Sequence, residues 1–550
     1  MKGAPSQARS TKTFFQDILY GFRRDPNARV VPHGLLRADD KGWDLEDGYE
    51  ATARSPLARQ LNARHLQMIA VGGAIGAGLF INTGALLAVA GPGSLFLAFV
   101  IAGTAIYCMS QALGEMAVIF PVAGSFSAYS TRFLDPAWDF AMGWNYAIQW
   151  LTLIPLENTA ASIAVDFWTK GGIPTAIWIT FGVRWYGEVD FVVTVIKLTA
   201  ITGFVLFALV IDLAGGPQGH FIGGEYWHDP GAFVNGFKGF CTVIPTAALA
   251  YEGAELIGLC AAETQHPRQM IPRAVRQTFW RISFCYVISL LFVGLIVPNN
   301  DPSLLQKSTA IGDTGVSPFV IAIRRAGVHG VDSVFSAVII LSTFEVANSS
   351  VYASTRTLAA LAEQRQAPHF LSYIDRHGRP VFAILMALVI GLLSYLGAPA
   401  TSTQITVLQW FTSISSLAGI FTWASICLCH IRFRQAWKMQ GHSLEKLAFR
   451  SSVGVAGSWY GLTMFVVALI LRIVTAIVPI GYESLSAAQR TSSFFQSYLT
   501  APLVLLFYGG YKCLYRTRVV HPGTMNLSIG ILQLTLEHIR EEEEAKRARP

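Results

Sequence analysis

Charge is scarce in this chain. Of 550 residues only 14% are Asp, Glu, Lys or Arg against 52% hydrophobic, and most of that charge sits at the ends and in short stretches between apolar runs. A soluble multidomain protein of this length carries charge throughout its helices. The balance points instead to a polytopic membrane protein whose apolar runs reach the roughly 20 residues needed to cross a bilayer. Cysteine is sparse too. All seven (Cys108, Cys241, Cys260, Cys285, Cys427, Cys429 and Cys513) fall in apolar segments, which argues against a disulfide framework or a zinc site and reads them as small buried hydrophobes. No phosphate-binding loop, metal-ligand spacing or catalytic triad is recognisable, so no enzyme activity, metal or cofactor is expected. The polar residues 1–62 contain no cleavable signal, so the first apolar run must act as the membrane signal. The net charge of +7 lies in short loops, where topology explains it better than a nucleic-acid partner.

Apolar runs centre on Leu66–Val89, Leu95–Ile119, Asp139–Trp168, Phe191–Ile211, Phe237–Cys260, Phe284–Val297, Ser333–Leu361, Val381–Tyr395, Val407–Cys429, Tyr460–Ile480 and Phe494–Tyr515, which read as eleven spans. Ile173–Val183 is about half the length a spanning helix requires. If it crosses, Arg268, Arg273 and Arg276, then Arg365, Arg376 and Arg379, then Arg432, Arg434, Lys438, Lys446 and Arg450 all face the cytosol, as the positive-inside rule asks. The expectation is therefore an all-α membrane protein of twelve spans with an abnormally short fourth. Residues 1–62 and 516–550 form cytosolic tails around a transmembrane domain at 63–515. Lys2, Lys12 and Lys41 in the first tail are either modification sites or part of an unmodified solvated segment. The end of the second, LEHIREEEEAKRARP, suits a solvated helix. In the external loop Asn299–Gly330, Phe319–Ala326 reads as a surface-lying amphipathic helix or an ordinary loop helix.

The chain is organised around Val71–Gly84, VGGAIGAGLFINTG, in the first apolar run. Each glycine weakens a helix by roughly 1 kcal/mol. Two readings stay open: a helix broken at mid-membrane, whose freed backbone groups face a cavity or ligand, or a face of small residues for close helix packing. A second candidate break is Tyr251–Gly258, YEGAELIG, centred on Gly253 in the sixth span. Its two glutamates are expensive at mid-bilayer, at roughly 2.5 to 3.5 kcal/mol or more each, and should face a cavity or partner. Glycine-interrupted first and sixth spans, five helices apart, are the pattern of an inverted-repeat transporter that holds its substrate between the breaks. The half-helix beginning near Ala77 and Gly78 then points N–H groups at an anion, while carbonyls of the sixth-span break hold a cation. Together they suit a zwitterion.

The motifs GGAIGAGLF (72–80), LGEMAVIFPVAGSF (113–126), YEGAELIGLCAAE (251–263), NSSVYASTRTLAALAEQ (348–364), DRHGRP (375–380) and FTWASICLCHIRFRQAW (421–437) resemble fungal amino acid permeases of the amino acid, polyamine and organocation superfamily. The resemblance covers most of Leu61–Tyr515. It implies two inverted five-helix repeats plus two helices, discontinuous first and sixth helices, and import of amino acids with protons at the plasma membrane. Substrate contacts are expected at Ile75, Gly76, Ala77, Gly78, Tyr251, Gly253 and Glu255, with Glu252 beside them; ubiquitin-dependent regulation is one open reading of the N-terminal tail, which takes no part in the resemblance. Lys197, in the fifth span, matches a lysine proposed to carry the coupled proton; the alternative is a lysine snorkelling to the interface.

Glu252 and Glu345 depart from the family, which carries uncharged residues at both places. At Glu252 an acidic group either attracts a cationic side chain or is protonated. Glu345, Asn348 and Ser349 share a helix face, and either line the cavity beside Lys197 or form an interhelical hydrogen-bond cluster. Glu115 and Glu157 read as structural pairing residues, Tyr251 as an aromatic gate, and Trp138, Trp144, Trp150 and Trp168 as packing or interface anchors. Relatives have about a dozen more apolar residues between the counterparts of Ile179 and Phe181, enough for a normal crossing. Whether the gap is a deletion or an error at an exon boundary stays open. The alternatives to a proton-coupled importer are a non-transporting amino acid receptor or a permease inactivated by the short fourth span.

Overall fold

The computed structural model describes residues 72–169, 188–213, 219, 221–264, 266–305, 317–328, 330–397 and 401–527. The tails at 1–62 and 528–550, and the short segment Ile173–Val183, lie outside the described residues. Within them the chain is all-α, and six helices are long and apolar enough to cross a membrane. It is a multi-pass membrane protein.

Helices α1 (Ala77–Phe80) and α2 (Asn82–Ile119) open the described chain. They are followed by α3 (Phe126–Phe133), α4 (Pro136–Thr169) and α5 (Glu188–Asp212). Next come α6 (Gly236–Ala250), α7 (Leu256–Leu259), α8 (Pro267–Trp280) and α9 (Ser289–Ile296). After these lie α10 (Pro318–Arg325), α11 (Val331–Glu363), α12 (Val381–Gly391) and α13 (Thr401–Met439). The last are α14 (Gly454–Ile477), α15 (Ala487–Tyr498) and α16 (Thr500–Tyr515). Helix α4 packs along both α11 and α13, and α6 lies against α2. One aromatic cluster fixes the end of α1: Phe80 meets Phe319 of α10 at 5.3 Å and Phe335 of α11 at 5.8 Å, while Phe204 of α5 lies 4.7 Å from Phe319.

The runs read as Leu66–Val89 and Leu95–Ile119 meet inside α2 at Gly91, whose φ of 80° and ψ of 166° break the helix just before Pro92. A side chain would be strained there, and its Cβ would stand 2.6 Å from the Ala232 carbonyl oxygen. The segment leading into α6 is bonded to this corner. Gly93 and Ser94 donate to Ala232 O (2.9 and 3.4 Å), Val234 donates to Ala90 O (3.0 Å), and Asn235 Nδ2 donates to Val89 O (2.8 Å).

Several boundaries differ from the sequence reading. The run placed at Phe284–Val297 continues a helical stretch that starts at Pro267, because Ile271, Ala274, Val275 and Thr278 bury one face between the arginines. Arg432 and Arg434, read as cytosolic loop residues, belong to α13: Arg432 Nε donates to Phe133 O at 2.6 Å and Arg434 Nη2 to Glu115 at 2.8 Å. The run Phe494–Tyr515 is two helices meeting at Leu499. Helix α10 forms, but Pro318–Ile323 are buried, so it is not surface-lying. Cys513 is exposed, since it lies on the outer side of α16, while the other six cysteines are buried.

Candidate functional site

The backbone at Gly73–Gly76 is not helical. Lys197, fully buried on α5, donates from Nζ to Gly72 O (2.8 Å) and Ile75 O (2.7 Å). Its ammonium therefore satisfies carbonyls that a continuous helix would have used, and does not snorkel. Glu345 Oε2 of α11 pairs with the same Nζ at 2.9 Å, and its Oε1 accepts from Thr194 Oγ1 at 2.6 Å. A Cβ on Gly72 would overlap both the Glu345 carboxylate and the Thr194 hydroxyl. Close packing at Gly72 thus occurs next to the non-helical backbone of Gly73–Gly76. Of the other residues on that face of α11, Ser349 is buried with its hydroxyl unpartnered among the described residues, and Asn348 is half-buried.

Glu157 of α4 reaches the far side of the same segment. Its carboxylate oxygens accept from the Ala77 N–H at 3.3 and 3.2 Å, and a Cβ on Gly76 would lie 2.8 Å from Oε1. The sequence assigned Glu157 a structural pairing without a partner, since nothing in its neighbourhood marks a contact with residue 77. Glu115 is a pairing residue: with Arg434, His430 and the Ser451 N–H it joins α2, α13 and the start of α14.

The second interruption spans Tyr251–Glu255, between α6 and α7. Gly253 has a φ of 92°, and its missing Cβ would sit 2.9 Å from Gly73 O and 3.1 Å from Ala74 Cα. The two interrupted segments touch there. Gly78 likewise leaves room for the Ala250 backbone, whose Cα a Cβ would approach to 2.8 Å. Successive side chains then diverge. Tyr251 turns to α2, donating to Phe99 O at 2.8 Å and packing its ring 4.6 Å from Tyr286, whose hydroxyl donates to Ala74 O at 3.1 Å. Glu252 turns to α13, where Ser415 Oγ donates to its two carboxylate oxygens at 3.1 and 2.9 Å. Glu255 Oε2 accepts from Trp423 Nε1 at 3.0 Å, leaving Oε1 unpartnered among the described residues.

The tryptophans divide. Trp138 Nε1 donates to Ser425 Oγ and Trp144 Nε1 to Gln366 O, so both tie α4 to its neighbours, while Trp150 is wholly buried. The side chain of Trp168 lies outside the described residues. Among the described residues no group of His, Cys, Asp and Glu could hold a metal ion.

Comparison with known proteins matches the amino acid permease family over residues 65–521. General amino-acid permease GAP1 of Saccharomyces cerevisiae is 42% identical over 537 residues, 94% of this chain and 87% of that protein. General amino-acid permease GAP2 of Candida albicans is 45% identical over 545 residues, 96% and 90% respectively. Amino-acid permease inda1 of Hypocrea atroviridis is 45% identical over 468 residues, 82% and 80%. A manganese transporter of Eremococcus coleocola overlays at a TM-score of 0.47 with 12% identity, covering 88% of this chain and 97% of that one, a likeness too low to bear on function. Matched along nearly its whole length and built of long apolar helices, the chain belongs to the amino acid permease family and is a secondary transporter of small solutes across a membrane.

Proposed function

We propose that this protein imports amino acids across the plasma membrane by proton symport. The names of its relatives support amino acids as the substrate class. The observation that carries the coupling is the Lys197 ammonium lodged on the carbonyls of Gly72 and Ile75 and paired with Glu345. In this reading twelve spans form two inverted five-helix repeats plus two, the first and sixth spans are discontinuous, and both tails are cytosolic. The substrate carboxylate takes the N–H groups near Ala77 and Gly78, in exchange for Glu157. Its ammonium takes carbonyls of Tyr251–Gly253. Ile75, Gly76, Ala77 and Gly78 on the first segment and Tyr251, Gly253 and Glu255 on the second are the residues this reading assigns to the substrate.

A protonated Lys197 ties α5 to the first interruption and balances Glu345. Deprotonation leaves an amine that no longer neutralises that carboxylate, so the two protonation states favour different arrangements of the first segment against α5 and α11. The test is uptake of radiolabelled leucine, arginine and glutamate by cells displaying the full chain, with and without a protonophore. Uptake that collapses with the protonophore and in Lys197→Ala is the expected result. Uptake indifferent to the proton gradient overturns symport, and ligand binding without uptake identifies a receptor instead.

A further inference from the structure

Glu252 is a buried carboxylate with no protein cation paired to it among the described residues. It is 3% exposed, its carboxylate's hydrogen-bonding partner among the described residues is Ser415, and no lysine, arginine or histidine there pairs with it. The surrounding charges add to the imbalance. Glu255 stands three residues on and Glu157 faces the same region from α4, while Lys197 is committed to two carbonyls and Glu345, and Arg281 acts on Glu255. An uncompensated carboxylate in such a place is neutralised by a proton or by a cation that arrives from outside.

A second buried polar group lies beside it. Gln149 of α4 is fully buried, and both its amide nitrogen and its amide oxygen lack a partner among the described residues. Gly419 of α13 has a bare face onto which both groups converge. A Cβ there would lie 3.1 Å from Glu252 Oε1 and 3.4 Å from Gln149 Nε2. The carboxylate and an amide that can turn its carbonyl inward present acceptors to one point. An ammonium or guanidinium carries several donors and no acceptor, and matches this set; a carboxylate-bearing side chain is repelled by it.

We propose that Glu252, Gln149 and Ser415 form a subsite, beside the bare face of Gly419, that selects amino acids with a cationic side chain such as arginine, lysine and ornithine. The inference rests on the amino acid importer reading. Glu252 adjoins Gly253, the point where the two interruptions touch, so a substrate whose main-chain groups occupy them extends its side chain between α4 and α13.

The test compares near-isosteres that differ in charge. Arginine and citrulline, and lysine and norleucine, are measured as competitors of labelled alanine uptake in cells displaying the full chain. The expected half-maximal concentration is at least about tenfold lower for the cationic member of each pair. Glu252→Gln brings the ratio close to one, Glu252→Asp keeps part of it, and Gly419→Ala, which fills the space between the two acceptors, weakens arginine more than alanine. Because a ratio is read, a general loss of transport does not imitate the effect. If Glu252→Gln does not reach the surface, the wild-type ratios and Gly419→Ala decide. Alanine uptake with ratios near one in the wild type, or ratios unmoved by Glu252→Gln, overturns the subsite alone. Absence of uptake of every amino acid by a surface-displayed chain overturns the importer reading, and the subsite with it.

Discussion

Two buried charges a few residues from the same point of contact are treated in opposite ways. Lys197 is compensated within the fold by two carbonyls and Glu345, whereas Glu252 has a hydroxyl and, nearby, an amide without a partner among the described residues. The first arrangement is complete, so its removal breaks the protein's own structure. The second is incomplete, so its removal costs the empty protein little and shows only when a ligand arrives. Burial alone therefore does not separate the two groups; what each is bonded to does.

The largest effect expected from this contrast is at Lys197. Lys197→Ala leaves Glu345 buried without its counter-charge, a loss of about 3–5 kcal/mol, and lowers both melting temperature and uptake, the latter at least about a hundredfold. The double variant Lys197→Met with Glu345→Leu recovers much of the melting temperature but not proton-dependent uptake, which thermal unfolding and uptake assays separate. Gly253→Ala comes next. Its φ of 92° and the 2.9 Å approach to Gly73 O place an added methyl in strain and overlap, worth roughly 2–4 kcal/mol together, and uptake falls about tenfold. Glu252→Gln sharpens the comparison from the other side: in the absence of substrate its melting temperature equals or exceeds that of the wild type, within about 1 kcal/mol.

The smallest effect is expected at Asp135, in the turn between α3 and α4. Burial alone raises its carboxyl, but bonds from Lys512, Thr517 and the Ala137 N–H outweigh that and hold it below the usual carboxylate range. A depressed acid contributes stability that is fully present above its unfolded value, about 3.9, and is lost as pH falls through the folded one. Between pH 5 and 8 the wild type and Asp135→Asn should thus differ by a constant amount, about 1 kcal/mol, since the Lys512 partner is 34% exposed and screened, with the gap narrowing only below about pH 4 in melting curves.

Much of the frame was legible because charge and glycine are rare in apolar runs. Lys197, Glu345, Gly72 and Gly253 each stand out against their neighbours, and the structure brings the four around one place. Hydroxyls and amides do not stand out. Ser415, Gln149 and Thr194 resemble the many polar groups that bond to their own helix, as Thr159 and Ser350 do. Glu157 meets Ala77 across 80 residues, and no local pattern encodes that distance. The ends of α8 and α13 were hidden for another reason. Arginines mark loops when their head groups meet water, but Arg432 and Arg434 fold back onto a carbonyl and a carboxylate, so the helix runs on.

The ribbon at Ala232–Asn235 also bears on how the protein can move. Bonded to both sides of the Gly91 corner, it lies close to further anchors: Trp227 Nε1 donates to Gly294 O and Asn299 Nδ2 to Gly231 O, while Arg325 bridges Tyr226 and Asp301. It acts as a tie bar between the Gly91 corner of α2 and the ends of α6, α9 and α10. A motion that tilts any one of these elements must drag the others with it, so they shift as one body or not at all.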